Sequence, residues 1–184
     1  MGNLFVNILI TKMKLLELIE SRYSVRAYLP QPVEEDKINY ILECARLAPS
    51  ACNLQPWIFY VVTDETVKDK IKESYSRDWF KSAPACIVVC KDSSKSWKRT
   101  NTDGKDFGDV DAAIAAEHIC LAAAEIGLGT CWVCNFNPQI LAKALDLPAD
   151  LEAIAIFPIG YVDKTNSSSP EKKRHTLSEI TRWI

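Results

Sequence analysis

Apolar positions along this chain follow two rhythms, a helical period of three to four residues and shorter runs of β-branched and aromatic residues. Leu15, Leu16, Leu18 and Ile19 set a stripe on a short helix that opens at Met13 and stops near Ser21. Residues 21–29 break that period and carry two arginines. Pro30 and Pro32 lead into the acidic first turn Glu34-Glu35-Asp36, and Ile38, Ile41, Leu42 and Ala45 continue at helical spacing until Ala48-Pro49 ends the element. Trp57–Val62 reads as a strand, Val67 and Ile71 mark an amphipathic helix, and Ala85–Cys90 reads as a buried strand. Residues 91–108 are polar and glycine-containing, the pattern of a long surface loop of the kind that serves as a lid. Asp109–Ile126 is alanine-dense and apolar all round, which predicts a central buried helix closed by a left-handed Gly127. A strand over Thr130–Phe136, a helix capped by Asn137-Pro138 and a last strand over Leu151–Tyr161 follow.

This order predicts an α+β domain with a central mixed or antiparallel sheet flanked by helices. Residues 1–12 form an N-terminal extension, 13–165 the domain, and 166–184 a Ser-rich linker and basic tail ending in Trp183-Ile184. A chain of 184 residues holds one well-buried core and is too short for two ordinary domains. Its formal net charge of -2 provides no global field for nucleic acid or an acidic membrane, and neither is expected as a partner. The seven cysteines are odd in number and scattered through apolar segments, a pattern of reduced thiols in a cytoplasmic protein. The apolar run at Leu4–Ile10 lacks the flanks of a signal peptide and is too short to span a bilayer. Gly2 lacks the Ser or Thr four residues on that myristoylation wants, since Val6 stands there.

Several chemistries have little material. No Gly-x-Gly-x-x-Gly follows a strand, Gly-x-Ser-x-Gly is absent, and the chain has only two histidines, His118 and His175. Cys131 and Cys134 have redox-dithiol spacing. Within a strand, however, that spacing sends the two thiols to opposite faces, and no second ligand pair completes a metal site.

Three segments remain. Arg22, Ser24 and Arg26 alternate along an extended stretch, which places two guanidinium groups and a hydroxyl on one face, suited to an anion. Residues 48–57, Ala-Pro-Ser-Ala-Cys-Asn-Leu-Gln-Pro-Trp, join a helix to a strand through a rigid polar turn. Residues 127–135 pass from a helix end into a strand that ends in polar residues. Together, Arg-x-Ser-x-Arg, Ala-Pro-Ser-x-x-Asn-x-Gln-Pro-Trp and Gly-Leu-Gly-Thr-Cys-Trp resemble, in order and separation, the nitroreductase family of FMN enzymes from Met13 to the C-terminus.

The resemblance implies an intertwined homodimer in which the C-terminal tail of one subunit adds a strand to the other's sheet. It implies bound FMN, with Arg22 and Ser24 holding the phosphate and ribityl chain beside Tyr23, and Arg26 near N1 and O2. Pro49, Ser50, Ala51 and Asn53 would reach the flavin of the partner chain. Trp132, Val133, Cys134 and Asn135 would pass the isoalloxazine, with a backbone N–H near N5, and Lys172 and Arg174 would complete the phosphate site. It implies NAD(P)H as the electron donor, a small organic acceptor such as a nitroaromatic or quinone, and no catalytic nucleophile or base. Tyr23 and Cys134-Asn135 depart from the residues common in that family, and Trp97 and Phe107 are candidate lid contacts. A flavin-binding protein without turnover, a dehalogenating or flavin-consuming activity, and a thiol or metal redox protein built on Cys131 and Cys134 are the alternatives.

Overall fold

The computed structural model describes residues 14–184, so the expected extension over 1–12 and the helix start at Met13 lie outside the described residues. Helix α1 is Leu15–Ser21, and α2 is Glu35–Arg46. Strand β1, Trp57–Val62, is followed by α3, Glu65–Ser74, and by α4, Asp78–Lys81. Strand β2 is Ala85–Asp92 and α5 is Gly108–Glu125. Strand β3, Leu128–Thr130, α6, Pro138–Leu145, β4, Leu151–Tyr161, and α7, Leu177–Ile180, complete the order.

The strands form one antiparallel sheet in the order β1-β2-β4-β3. β2 is buried throughout because both of its faces are covered. Ile87 and Val89, with Phe157 and Ile159 of β4, pack against α2 and α5, while Cys86, Val88 and Cys90 pack against α3 and α6. The alanines of α5 let it approach the sheet and α2 closely, and Ala112, Ala115, Ala116 and Ala123 are fully buried. Gly127 then reverses the chain at φ 79°. The Asn137 side chain accepts from the Gln139 and Ile140 backbone N–H groups, and this fixes the start of α6.

Two expectations need correction. The strand expected over Thr130–Phe136 is β3, which ends at Thr130, with one further bridge from Val133 to Ile156. The register is unchanged between Thr130–Ile159 and Val133–Ile156, which sets Cys131 opposite Pro158. Proline has no N–H to donate, so the ladder breaks there. The segment expected as a long loop from residue 91 begins instead with the end of β2 and then folds on itself. Phe107 N donates to Trp97 O at 3.0 Å, Arg99 N to Lys105 O at 3.0 Å, and Lys98 bridges to Asp106. The Trp97 and Phe107 rings pack on each other at 5.3 Å, so they close this hairpin. Buried Lys91 ties its base to Asp109 at 2.7 Å and Glu152 at 2.9 Å. Burial opposes the Lys91 charge, but hydrogen bonds to these two carboxylates carry its pKa up to about 12.

Candidate functional site

The site is built along the free edge of β3. Val25 N donates to Thr130 O at 2.9 Å beside a parallel Ser24–Thr130 bridge, and Tyr28 bridges to Val162. The buried Tyr28 hydroxyl donates to Val25 O at 3.0 Å and locks the bend. Gly129 is required here: a Cβ would meet Val25 Cγ2 at 2.7 Å and Val162 Cγ2 at 2.9 Å. This pairing orders Arg22, Ser24 and Arg26 along one edge, but their environments differ. Arg22 and Ser24 are half-buried, whereas Arg26 is exposed with its guanidinium 5.9 Å from the Trp79 ring centre.

An open cleft of about 390 Å³ lies beside Arg22, lined also by Tyr23, Gly127, Gly129, Thr130 and Lys164. Arg22 Nε is buried with no hydrogen-bond partner. The tail returns to this place, as Lys172 Nζ donates to Ile19 O at 2.6 Å and the Tyr23 hydroxyl meets Ser167 Oγ at 3.5 Å. Burial, then the Arg22 and Arg174 charges, hold Lys172 below the ordinary lysine pKa. Among the described residues, no ion pair includes Arg22, Arg26, Lys172 or Arg174. Three cations from opposite ends of the chain are thus gathered with no ion-paired carboxylate among the described residues, only the weaker pull of Glu20 on Lys172, an arrangement that an anion with several acceptor oxygens completes.

Further along the same edge, Trp132 packs its ring on Phe157 at 5.1 Å and donates Nε1–H to Cys134 Sγ at 3.0 Å. Val133 is buried, whereas Cys134 and Asn135 are exposed. Among the described residues, no acceptor takes the backbone N–H of either Cys134 or Asn135. Cys131 is buried, and its thiol pKa is raised by that burial. The Cys131 and Cys134 side chains therefore sit in different environments, and both are free thiols. Burial likewise pushes the Cys86, Cys90 and Cys120 thiols up to about 12, so they are unreactive packing groups. No group of three or more His, Cys, Asp or Glu side chains among the described residues is placed to hold a metal ion. His118 Nδ1 lies 2.9 Å from Cys44 O, a satisfied histidine against α2.

Pro49, Ser50, Ala51 and Asn53 lie elsewhere. A 3-10 turn at Ala51–Asn53 puts Cys52, Asn53 and Gln55 at φ 50°, 55° and 51°. Gln55 N donates to Ser50 Oγ at 2.9 Å, and Ala51 N donates to Asp111 Oδ1 at 2.9 Å. Asp111 opens α5 and the cleft lies at Ala124 near its end, about 20 Å away at the helical rise. One chain therefore joins the residues at 22–26 with those at 132–135 and 172–174, and holds the 49–53 turn at the other end of its central helix. Sequence reasoning missed Lys164 and Asp111. The available signal for Asp111 was one acid on the buried alanine face of α5.

Residues 19–77 and 72–161 match the sequence model of the Nitroreductase family. The chain is similar to a nitroreductase family protein of Clostridium difficile 630, at 38% identity and a TM-score of 0.84, over 93% of this chain and 98% of that one. It is similar to an FMN-dependent nitroreductase of Clostridium difficile R20291, at 32% identity and a TM-score of 0.69, over 90% and 94% of the two chains. It is also 28% identical to the FMN reductase [NAD(P)H] of Bacillus subtilis, over 93% of this chain and 75% of that protein.

Proposed function

The chain belongs to the nitroreductase family, and on that premise we propose that it is an FMN-dependent oxidoreductase that moves two electrons from NAD(P)H to a small organic acceptor such as a nitroaromatic or quinone. The observation that carries this reading is the cluster of Arg22, Lys172 and Arg174, none of which forms an ion pair among the described residues, with Arg22 Nε buried and unpartnered. The donor set fits FMN: three cations and the Ser24 hydroxyl suit a phosphate and a polyol chain, and Arg26 lies two residues further along the edge for the isoalloxazine. Bound FMN supplies hydride acceptance and donation at N5. The chain's own residues bind and orient. Arg22, Lys172 and Arg174 hold the phosphate, with Tyr23 steadying the tail through Ser167. Trp132, fixed on Phe157, and Val133, fixed on Ile156, form the wall of the ring site. The N–H groups of Cys134 and Asn135, without an acceptor among the described residues, would be available to the ring as donors, and no side chain is assigned as nucleophile or general base.

The same reading assigns a homodimer, because the Pro49–Asn53 turn cannot reach this chain's own Arg22 cluster. A second copy supplies its turn. Apolar surface is available for that contact: Leu15, Leu16 and Ile19 on α1 are exposed, as are Leu177, Ile180, Trp183 and Ile184 of the tail. The seven free thiols agree with a cytoplasmic protein, and no helix among the described residues is long and apolar enough to cross a membrane. The test is direct. Purified protein should be yellow, and anaerobic NADH or NADPH should bleach it. A colourless protein that takes up no added FMN overturns the reading.

A further inference from the structure

Asp111 is 3% exposed, its Oδ1 accepts a single backbone hydrogen bond, and its Oδ2 is buried with no partner. A carboxylate in that state gives a poor return in stability, because burial costs more than one hydrogen bond restores. The group that it holds is unusual as well. Cys52, Asn53 and Gln55, none of them glycine, all have positive φ within four residues, a conformation disfavoured for residues with a Cβ and one that persists only where the surroundings impose it. The restraints on this turn are few. They are the Asp111 bond to Ala51 N, the Ser50 Oγ bond to Gln55 N, the Gln55 Nε2 bonds to Asn53 O and Oδ1, and short-range backbone bonds such as Asn53 N to Ser50 O at 3.0 Å. The flanks are anchored, since Ala48 and Trp57 are buried together against Ala115 of α5. Between these anchors the turn itself is exposed at Cys52, Asn53, Leu54 and Gln55. Among the described residues, only the Asp111 bond ties the turn to a different element, and that element is the deeply buried helix α5.

We propose that Asp111 is a positioning residue: it fixes the strained 50–55 turn on α5 so that Ser50 and Asn53 are presented to the flavin in one preformed geometry. The inference rests on the assignment of that turn to an FMN contact, and deepens it. Asp111 touches no reacting atom. Its effect is transmitted through the Ala51 backbone, which limits the ordering that binding must otherwise impose on the turn.

Asp111→Asn and Asp111→Ala separate this role from general stability. Asn retains an oxygen for Ala51 N, whereas Ala removes it. Both are prepared flavin-free, and three quantities are compared with wild type: the melting temperature, the FMN dissociation constant by flavin fluorescence, and the visible spectrum of the reconstituted flavin. Asp111→Ala should bind FMN about 10-fold or more weakly, with a shifted flavin spectrum, since a charged hydrogen bond of this kind is worth about that factor. Asp111→Asn should recover most of the affinity and the wild-type spectrum. A lowered melting temperature in Asp111→Ala with wild-type FMN affinity and spectrum reduces Asp111 to a packing residue and overturns the proposal. Equal loss of affinity in both variants also overturns it, because the turn bond is then not what matters. Failure of wild type to bind FMN is a separate outcome, which removes the flavin reading and the role built on it.

Discussion

Replacing Arg22 with Ala should leave the stability of the empty protein nearly unchanged while weakening the loaded one. In the empty protein, Arg22 Nε is buried without an acceptor and shares its surroundings with Lys172 and Arg174. An unsatisfied buried donor costs about 1–3 kcal/mol, so its removal is favourable. The substitution also loses two methylenes of a half-buried stem, about 1 kcal/mol at the usual value per buried CH₂ discounted for exposure. These effects offset each other, and the melting temperature of flavin-free protein should stay within about 4 °C of wild type. The loaded protein loses a charge-assisted contact to phosphate worth about 1.5–3 kcal/mol, which weakens FMN binding by about 10- to 100-fold. Fluorescence titration of flavin-free protein gives the affinity, and differential scanning calorimetry of the same material gives the stability. Wild-type FMN affinity in Arg22→Ala would falsify the phosphate assignment. A collapse in the stability of the empty variant would show instead that Arg22 is a structural residue.

Truncation after Asn166 removes Lys172, Arg174 and the exposed apolar tail, so sedimentation should find a flavin-free monomer; a flavin-loaded dimer would sink the tail's assigned role. Gly129→Ala forces a methyl into Val25 and Val162, and should destabilise the protein by about 1–3 kcal/mol in urea unfolding; an unchanged midpoint would contradict the tight β3 edge. Hydrogen bonds from Tyr161, first, and from Lys37 hold the Glu34 carboxyl down at about 2, against an ordinary value of 4.5. A depressed carboxyl stabilises the fold above its unfolded pKa and loses that contribution as pH falls towards 2. The stability gap between wild type and Glu34→Gln should therefore be full at pH 6 and shrink steadily below about pH 4.5. A gap independent of pH would refute the Tyr161–Glu34–Lys37 linkage.

Sequence pattern read best where one local cause dominates. β1 and β4 were legible because apolar runs ended at turn residues, and the start of α6 because Asn137-Pro138 is a cap in itself. Gly127 behaved as its place after an alanine helix implied. What escaped depended on a distant partner. The end of β3 is set by Pro158, 27 residues beyond Cys131, and no local window around Cys131 contains it. The hairpin over residues 93–107 is stabilised by polar pairs such as Arg99–Asp103 at 2.5 Å, which leave no apolar rhythm. The same holds at the site. The arginines at 22 and 26 were visible as a motif, but their different burial is set by β3 and by the returning tail. Asp111 was hidden because its partner, the Ala51 N–H, is backbone and carries no side-chain signature.

The central claim is that the cation cluster and the β3 edge hold a flavin that accepts electrons from a nicotinamide. Anaerobic titration of the FMN-loaded protein with NADH and with NADPH, followed by flavin absorbance, tests it most directly. At least one of the two nucleotides should bleach the flavin stoichiometrically, and a quinone or nitroaromatic should then restore the colour. A flavin that stays oxidised with both nucleotides would leave a flavin-binding protein and contradict the oxidoreductase.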